Sequence, residues 1–170
     1  MSGGVEWALH CCVVLTTASA PVPAARLAEL HDVSGSYLAK QLQALSRAGL
    51  VNSVQGKAGG YVLTRSPELL SVLEVVAAVD GPQPAFVCTE IRQRGPLAAA
   101  PEDCTRPCAI TRAMASAEAA WRAALRDVSV ADLARGVDED YGPTALAGIS
   151  GWLAVPDDRS GDSGGPAAGR

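Results

Sequence analysis

Apolar residues run from Val5 to Leu15, broken only by Glu6 and His10, and further along the chain they settle into two shorter repeats. The first run has no polar face, so Gly3–Ala18 is expected as a helix buried on nearly all sides. Pro21 and Pro23 end it, and a short second helix is expected over Ala24–His31 with Leu27 and Leu30 inward. After the turn His31-Asp32-Val33-Ser34, three leucines (Leu38, Leu42, Leu45) recur at helical spacing. They predict a third helix, capped by Ser34 or Ser36, running to about Ala48 and stopped by Gly49. The period then changes. Leu50–Val54 and Gly60–Thr64 read as strands around the glycine-rich tip Gln55-Gly56-Lys57-Ala58-Gly59-Gly60.

A further helix is expected from Pro67 to Asp80, with Leu70, Leu73, Val76 and Ala77 inward. The next stretch has no periodicity and carries Pro84, Pro96, Pro101 and Pro107, so it reads as a loop. Cys108–Asp127 reads as a long Ala-rich helix with Ile110, Met114, Ala117, Trp121 and Leu125 on one face. Its small residues would let two such helices approach closely, which suits a dimer arm. Val130–Arg135 adds a short helix. From about Pro156, Asp, Ser, Gly and Pro dominate and a disordered tail is expected. The fold class is therefore mainly α with a small β-hairpin wing. A winged helix-turn-helix occupies 1–82, a cysteine-bearing loop 83–108, a dimerisation helix and a short helix 108–135, and the tail 156–170.

Composition changes this picture little. The chain of 170 residues is 48% hydrophobic but only 4% aromatic, so its core is built from Ala, Leu and Val. The net charge of −4 argues against a wholly basic nucleic-acid coat. A local patch suffices for DNA, however, and residues 20–66 carry Arg26, Lys40, Arg47, Lys57 and Arg65 against Glu29 and Asp32. Acidic residues gather later, at Asp138, Glu139, Asp140, Asp157, Asp158 and Asp162. The apolar run at the start is too short to cross a bilayer, so a cytoplasmic protein with no membrane partner is expected. In a reducing compartment five cysteines read as thiols or metal ligands. No phosphate-binding glycine loop, supported Ser/His/Asp set or hydrolase metal motif is present, so neither an enzyme nor a small-molecule substrate is expected.

A winged helix-turn-helix inserts its third helix into the major groove. With the leucines inward, Ser36, Tyr37, Lys40, Gln41 and Gln43 are the expected outward positions. Gln pairs with adenine edges, and Lys40 reaches guanine or phosphate. Lys57 at the wing tip is placed for a phosphate or the minor groove. The same fold can also serve protein contact, and Tyr37 could instead pack on the wing.

Cys104 and Cys108 are three residues apart, with Pro107 beside the second, a spacing that brings two thiolates to one iron. Two inert thiols at a helix start are the alternative. Glu6 and His10 are four apart and share a helical face. An ionisable pair on so apolar a helix is costly unless satisfied, by a metal or by a mutual hydrogen bond in an interface. Cys88 can be a third ligand, a resolving thiol or a small buried hydrophobe. Cys11 and Cys12 read as core, His31 as a helix-end residue beside the turn, and Trp121 and Trp152 as structural. Trp7 either packs in the core or senses the ligand next door and presses on the helix-turn-helix.

Three stretches together resemble a known family: Ser36-Tyr37-Leu38, Leu45-Ser46-Arg47-Ala48-Gly49-Leu50-Val51 and Ser53-Val54-Gln55-Gly56-Lys57-Ala58-Gly59-Gly60-Tyr61. The family is the Rrf-two winged-helix iron–sulfur transcription regulators, the IscR and NsrR group. The resemblance extends through Leu73-Glu74-Val75-Val76 and Val79-Asp80-Gly81 to about residue 135. Gly3-Gly4-Val5-Glu6-Trp7-Ala8-Leu9-His10 and the Cys88, Cys104, Cys108 arrangement resemble its RsrR-type redox-sensing members most. The resemblance implies a homodimer carrying a [2Fe–2S] cluster in the loop 83–108 and binding double-stranded operator DNA in a redox-dependent way. It points to Cys104 and Cys108 of one subunit and Glu6 and His10 of the other as ligands, with Trp7 as the switch. Gln55 and Ala39 stand where relatives often have arginine and glutamate, so the operator sequence does not carry over. A zinc- or thiol-switch regulator on the same fold, or a nitric oxide sensor, are the competing readings.

Overall fold

The computed structural model describes residues 1–56 and 58–155. Lys57 and the tail expected from 156 lie outside the described residues. Among the described residues seven α-helices and one hairpin follow one another as α1 (Gly3–Thr16), α2 (Ala24–Leu30), α3 (Gly35–Arg47), β1 (Val51–Val54), β2 (Gly60–Leu63), α4 (Val72–Asp80), α5 (Ala109–Arg126), α6 (Val130–Tyr141) and α7 (Ala145–Ala154). The expected class, mainly α with a small β-hairpin wing, is the one observed.

Helix α1 is the hub. Gly4, Val5, Ala8, Cys11, Cys12, Val13, Val14 and Leu15 are all buried, against α3, α4, α6 and the wing. This follows from its lack of a polar face. The three leucines of α3 meet Leu27 of α2, Val51 of β1 and Leu70 in one core that excludes water entirely. Ser34 caps α3, its hydroxyl accepting from the Tyr37 N–H at 3.3 Å. At the other end the Leu50 N–H bonds the Leu45 carbonyl and the Gly49 N–H that of Ser46, the paired bonds that close a helix.

The wing is a two-stranded antiparallel ribbon in the register Val51↔Leu63 to Val54↔Gly60. Val22, just before α2, pairs with Tyr61 through two backbone bonds of 3.0 and 2.8 Å and so fastens the wing to the helix-turn-helix. Glycine is needed at 60, because a Cβ there would lie 2.3 Å from the Val22 carbonyl carbon.

Beyond the wing the structure departs from the expected boundaries. The helix foreseen from Pro67 is broken: a single 3-10 turn covers Pro67–Leu69, the chain extends through Leu70, and α4 starts afresh at Val72. The cause is a capping box in which Ser71 and Glu74 satisfy each other's orphan groups. Its buried face is Val72, Val75 and Val76. An identical device, Ser129 with Asp132, starts α6, and the two caps are bridged backbone to backbone. Helix α6 continues to Tyr141, well past the expected end at Arg135. Helix α7 was not expected at all. It carries Gly148 and Gly151 and little amphipathic pattern, and it owes its place to docking. Arg26 of α2 lies 3.6 Å from the Trp152 ring centre and donates to the Trp152 carbonyl at 2.8 Å, and the Ser150 hydroxyl donates to the Thr17 carbonyl.

Helix α5 has no buried residue along its 18 positions. Its C-terminal end, Trp121 and Leu125, rests on Val5, Val72 and Val76. Its N-terminal half leaves Ile110 and Met114 exposed. Among the described residues no helix is long and apolar enough to cross a membrane.

Candidate metal centre and reading face

Glu6 and His10 stand one turn apart on the side of α1 that the core leaves uncovered. With Leu9, Val13, Leu133 and Val137 they line an open groove of about 260 Å³. Both are exposed, and Glu6 has no hydrogen-bond or ion-pair partner among the described residues. The two do not bond each other. The carboxylate and the imidazole are thus accessible, on one apolar-walled groove, to a partner from outside the chain.

His10 has neighbours of another kind. Its ring lies 6.5 Å from that of Trp7 and 5.7 Å from that of His31, and Trp7 stands edge-on to His31 at 5.9 Å. His31 terminates α2 at the turn of the helix-turn-helix. Its Nε2 is buried without a hydrogen-bond partner among the described residues. Burial first, and the nearby His10 second, hold its pKa below the ordinary value. Trp7, expected either in the core or as a link to the helix-turn-helix, is half-buried within this ring cluster. The part of His31 in it escaped sequence reasoning, because residues 10 and 31 meet only through a tertiary contact of their rings.

The thiols lie elsewhere. Cys108 caps α5, its sulfur accepting from the Thr111 N–H at 3.4 Å and lying 3.3 Å from the Thr111 hydroxyl. These two contacts, the hydroxyl first, hold the Cys108 thiol below its usual pKa. Cys104 is half-buried at the end of a 3-10 turn, Pro101–Cys104. Cys88 is exposed and shares a cavity of about 220 Å³ with Cys108. Cys11 and Cys12 are fully buried, as expected for core residues, and burial pushes both thiols up to about 12. Within one chain no three metal-binding side chains converge among the described residues, so Glu6 and His10 do not meet Cys104 and Cys108.

Of the residues expected to contact DNA, Ser36, Tyr37, Lys40 and Gln43 are exposed on α3. Gln41 is not. Expected to point outward, it is 5% exposed and lies beneath α1 at Gly4, where a Cβ would come within 2.7 Å of its Oε1. The reason is geometric: position 41 lies next to Leu38, Leu42 and Leu45 on the helical wheel, and the glycine opposite leaves room for an amide. Lys57 falls outside the described residues.

The Rrf2 family, described as "Iron-dependent Transcriptional regulator", matches this chain over residues 1–136 of the 170. The chain belongs to the Rrf2 family. It is 40% identical over 76 residues to the HTH-type transcriptional regulator IscR of Escherichia coli, a match covering 45% of this chain and 47% of that protein. The chain thus spans about half the length of the curated relatives it matches. Among solved structures it is similar to CymR (YrzC), the global cysteine regulator of B. subtilis, with a TM-score of 0.64 at 21% identity over 81% of this chain and 98% of that one. It is also similar to IscR of T. potens, with a TM-score of 0.61 at 21% identity over 82% and 89%. These structural likenesses show that the Rrf2 fold is shared. Helix α7 and the end of α6 lie beyond the matched family region.

Proposed function

We propose that this Rrf2 protein is a homodimeric transcription regulator that binds double-stranded operator DNA under the control of a [2Fe–2S] cluster. Cys104 and Cys108 of one subunit and Glu6 and His10 of the other would hold the cluster. The donor set suits it. Two thiols stand on one loop, one of them held below its usual pKa, while a free carboxylate and an imidazole share an accessible groove. The unburied N-terminal half of α5 supports the dimer, since its apolar side chains need a covering surface. Bound there, the cluster supplies a one-electron couple.

One observation carries the reading: the ring cluster of Trp7, His10 and His31. It joins the face bearing Glu6 and His10 directly to the turn ahead of the reading helix. A shift of α1 or of the His10 ring is therefore felt at His31, and through it in the tilt of α3. Ser36, Tyr37, Lys40 and Gln43 would meet base edges and phosphates, with Lys57 on the backbone at the wing tip. Two reading helices must match successive major grooves, so a small tilt costs much specific affinity. The reducing cytoplasm, where thiols stay free, is the fitting compartment.

A second reading has its own observation. Cys88 and Cys108 border one cavity, which suits a reversible disulfide in metal-free protein. A gel-shift titration of oxidised, reduced and cluster-free protein, with iron, sulfide and visible absorption measured on each sample, separates the two. The cluster reading expects coloured protein, bleaching in C104S and C108S, and different affinities in the three states. Equal affinities would refute it. A thiol switch expects colourless protein whose affinity follows the 88–108 disulfide.

A further inference from the structure

Arg92 ties the cysteine loop together through its side chain and its own carbonyl. Its guanidinium forms a fork with Glu90, Nε to Oε1 at 2.6 Å and Nη2 to Oε2 at 2.9 Å. The same Nη2 donates to the Arg106 carbonyl at 3.1 Å, and Arg106 lies between the two thiols in sequence. The Arg92 carbonyl in turn accepts from the Ala99 N–H at 2.8 Å. Glu90 is itself tied to the thiol region, its N–H donating to the Cys88 sulfur at 3.4 Å. It takes a left-handed conformation with φ 51°, uncommon for a residue with a Cβ and kept only where surrounding contacts enforce it. One arginine thus joins the chain at 88–90, at 99 and at 104–108.

Arg92 also borders an open cavity of about 740 Å³, whose wall includes Asp103, Arg106, Cys108 and Arg112. Arg112 turns to the Pro107 carbonyl at 2.7 Å. The hydrogen bond to Glu90 raises the pKa of Arg92 above its ordinary value, and the charges of Cys104, Glu90 and Cys108 add to this. The Arg92 side chain and Cys108 line the same cavity, and Cys104 lies two residues before the Arg106 carbonyl that the guanidinium holds.

We propose that Arg92 is a positioning residue for the Cys104–Cys108 thiol pair. Anchored by Glu90, it ties the loop to the carbonyl between the thiols and sets a fixed positive charge beside them. The inference rests on the reading of Cys104 and Cys108 as cluster ligands. Each electron added to a group held by these thiols adds negative charge, which the neighbouring guanidinium favours. The fork matters as well as the charge, because lysine cannot bond a carboxylate and a carbonyl in one plane.

The test uses the full-length protein, wild type, R92Q, R92K and E90Q, in two measurements. Hydrogen exchange on metal-free protein reads the hold on the loop. Glu90 and the 104–108 segment should exchange faster in R92Q and R92K, and to a lesser degree in E90Q, while Ala99, bonded to the backbone carbonyl of residue 92, serves as the internal reference. A redox titration of cluster-loaded protein reads the charge. R92Q should shift the reduction equilibrium about tenfold toward the oxidised form, about 59 mV for one electron, while R92K stays near wild type. Unchanged exchange in R92Q overturns the clamp, and R92K shifting as far as R92Q overturns the charge. Wild-type protein without iron and sulfide would defeat the cluster reading instead, and the exchange comparison would still decide the clamp.

Discussion

His10 of α1 and His31 at the turn of the helix-turn-helix face one another, ring centres 5.7 Å apart, with Trp7 closing the cluster. The contact joins the groove that holds Glu6 to the module that carries α3. It has a consequence for pH. The folded-state pKa of His31 lies below its ordinary value of 6.5, so the unfolded chain binds the proton more readily. The contribution of His31 to stability is complete above that value and is lost as pH falls through it toward the lower folded value. Urea midpoints should therefore rise between about pH 5 and about pH 7.5, and H31Q should flatten this rise. An identical slope in H31Q would show that His31 is not the group responsible.

Gln41 lies under Gly4, so its removal should be felt as packing and not as altered base recognition. G4A places a methyl against the Gln41 amide and should cost about 1–3 kcal/mol of stability. K40A and Q43A, exposed on the same helix, should leave the melting temperature nearly unchanged and weaken DNA binding. For K40A, loss of a phosphate contact would lower the salt dependence by about one unit. Operator selectivity altered by Q41A in a protein of wild-type stability would contradict the placement.

Helix α7 is anchored to α2 by Arg26 and Trp152. The Arg26 side chain is only 12% exposed, so its guanidinium is withdrawn from the basic patch that sequence counting assigned to DNA. W152A should destabilise the protein by about 0.5–2 kcal/mol from the lost cation–π contact, and further from lost packing. A double-mutant cycle with R26A in thermal melts should show strong coupling between the two. Additive losses would mean that the ring and the guanidinium act separately.

The five thiols should divide sharply in reactivity. Cys11 and Cys12 are buried and raised to about 12, so they should resist iodoacetamide in native metal-free protein. Cys88, Cys104 and Cys108 are accessible and should be modified, and Cys108 should keep reacting at lower pH than an ordinary cysteine because its thiolate is favoured. Mass spectrometry of the alkylated protein reads this directly. Adducts on Cys11 or Cys12 before unfolding would contradict the core placement.

The sequence by itself determined the local order. The leucine period of α3, the Ser34 cap, Gly49 and the glycine-tipped hairpin are read from neighbours within a few residues, because helix caps and turns are short-range physics. The face shared by Glu6 and His10 follows from helical spacing alone. Tertiary structure decided what depends on distant partners. Gln41 is buried because α1 presents a glycine to it, and the Ser71 cap of α4 is joined to the Ser129 cap of α6 across 58 positions of chain. Helix α7 forms because Trp152 finds Arg26, 126 positions away in the chain. The meeting of His10 with His31, and the Arg92 clamp on the cysteine loop, are of the same kind. Each is a contact between segments whose spacing in sequence carries no period, so only the packed chain brings them together.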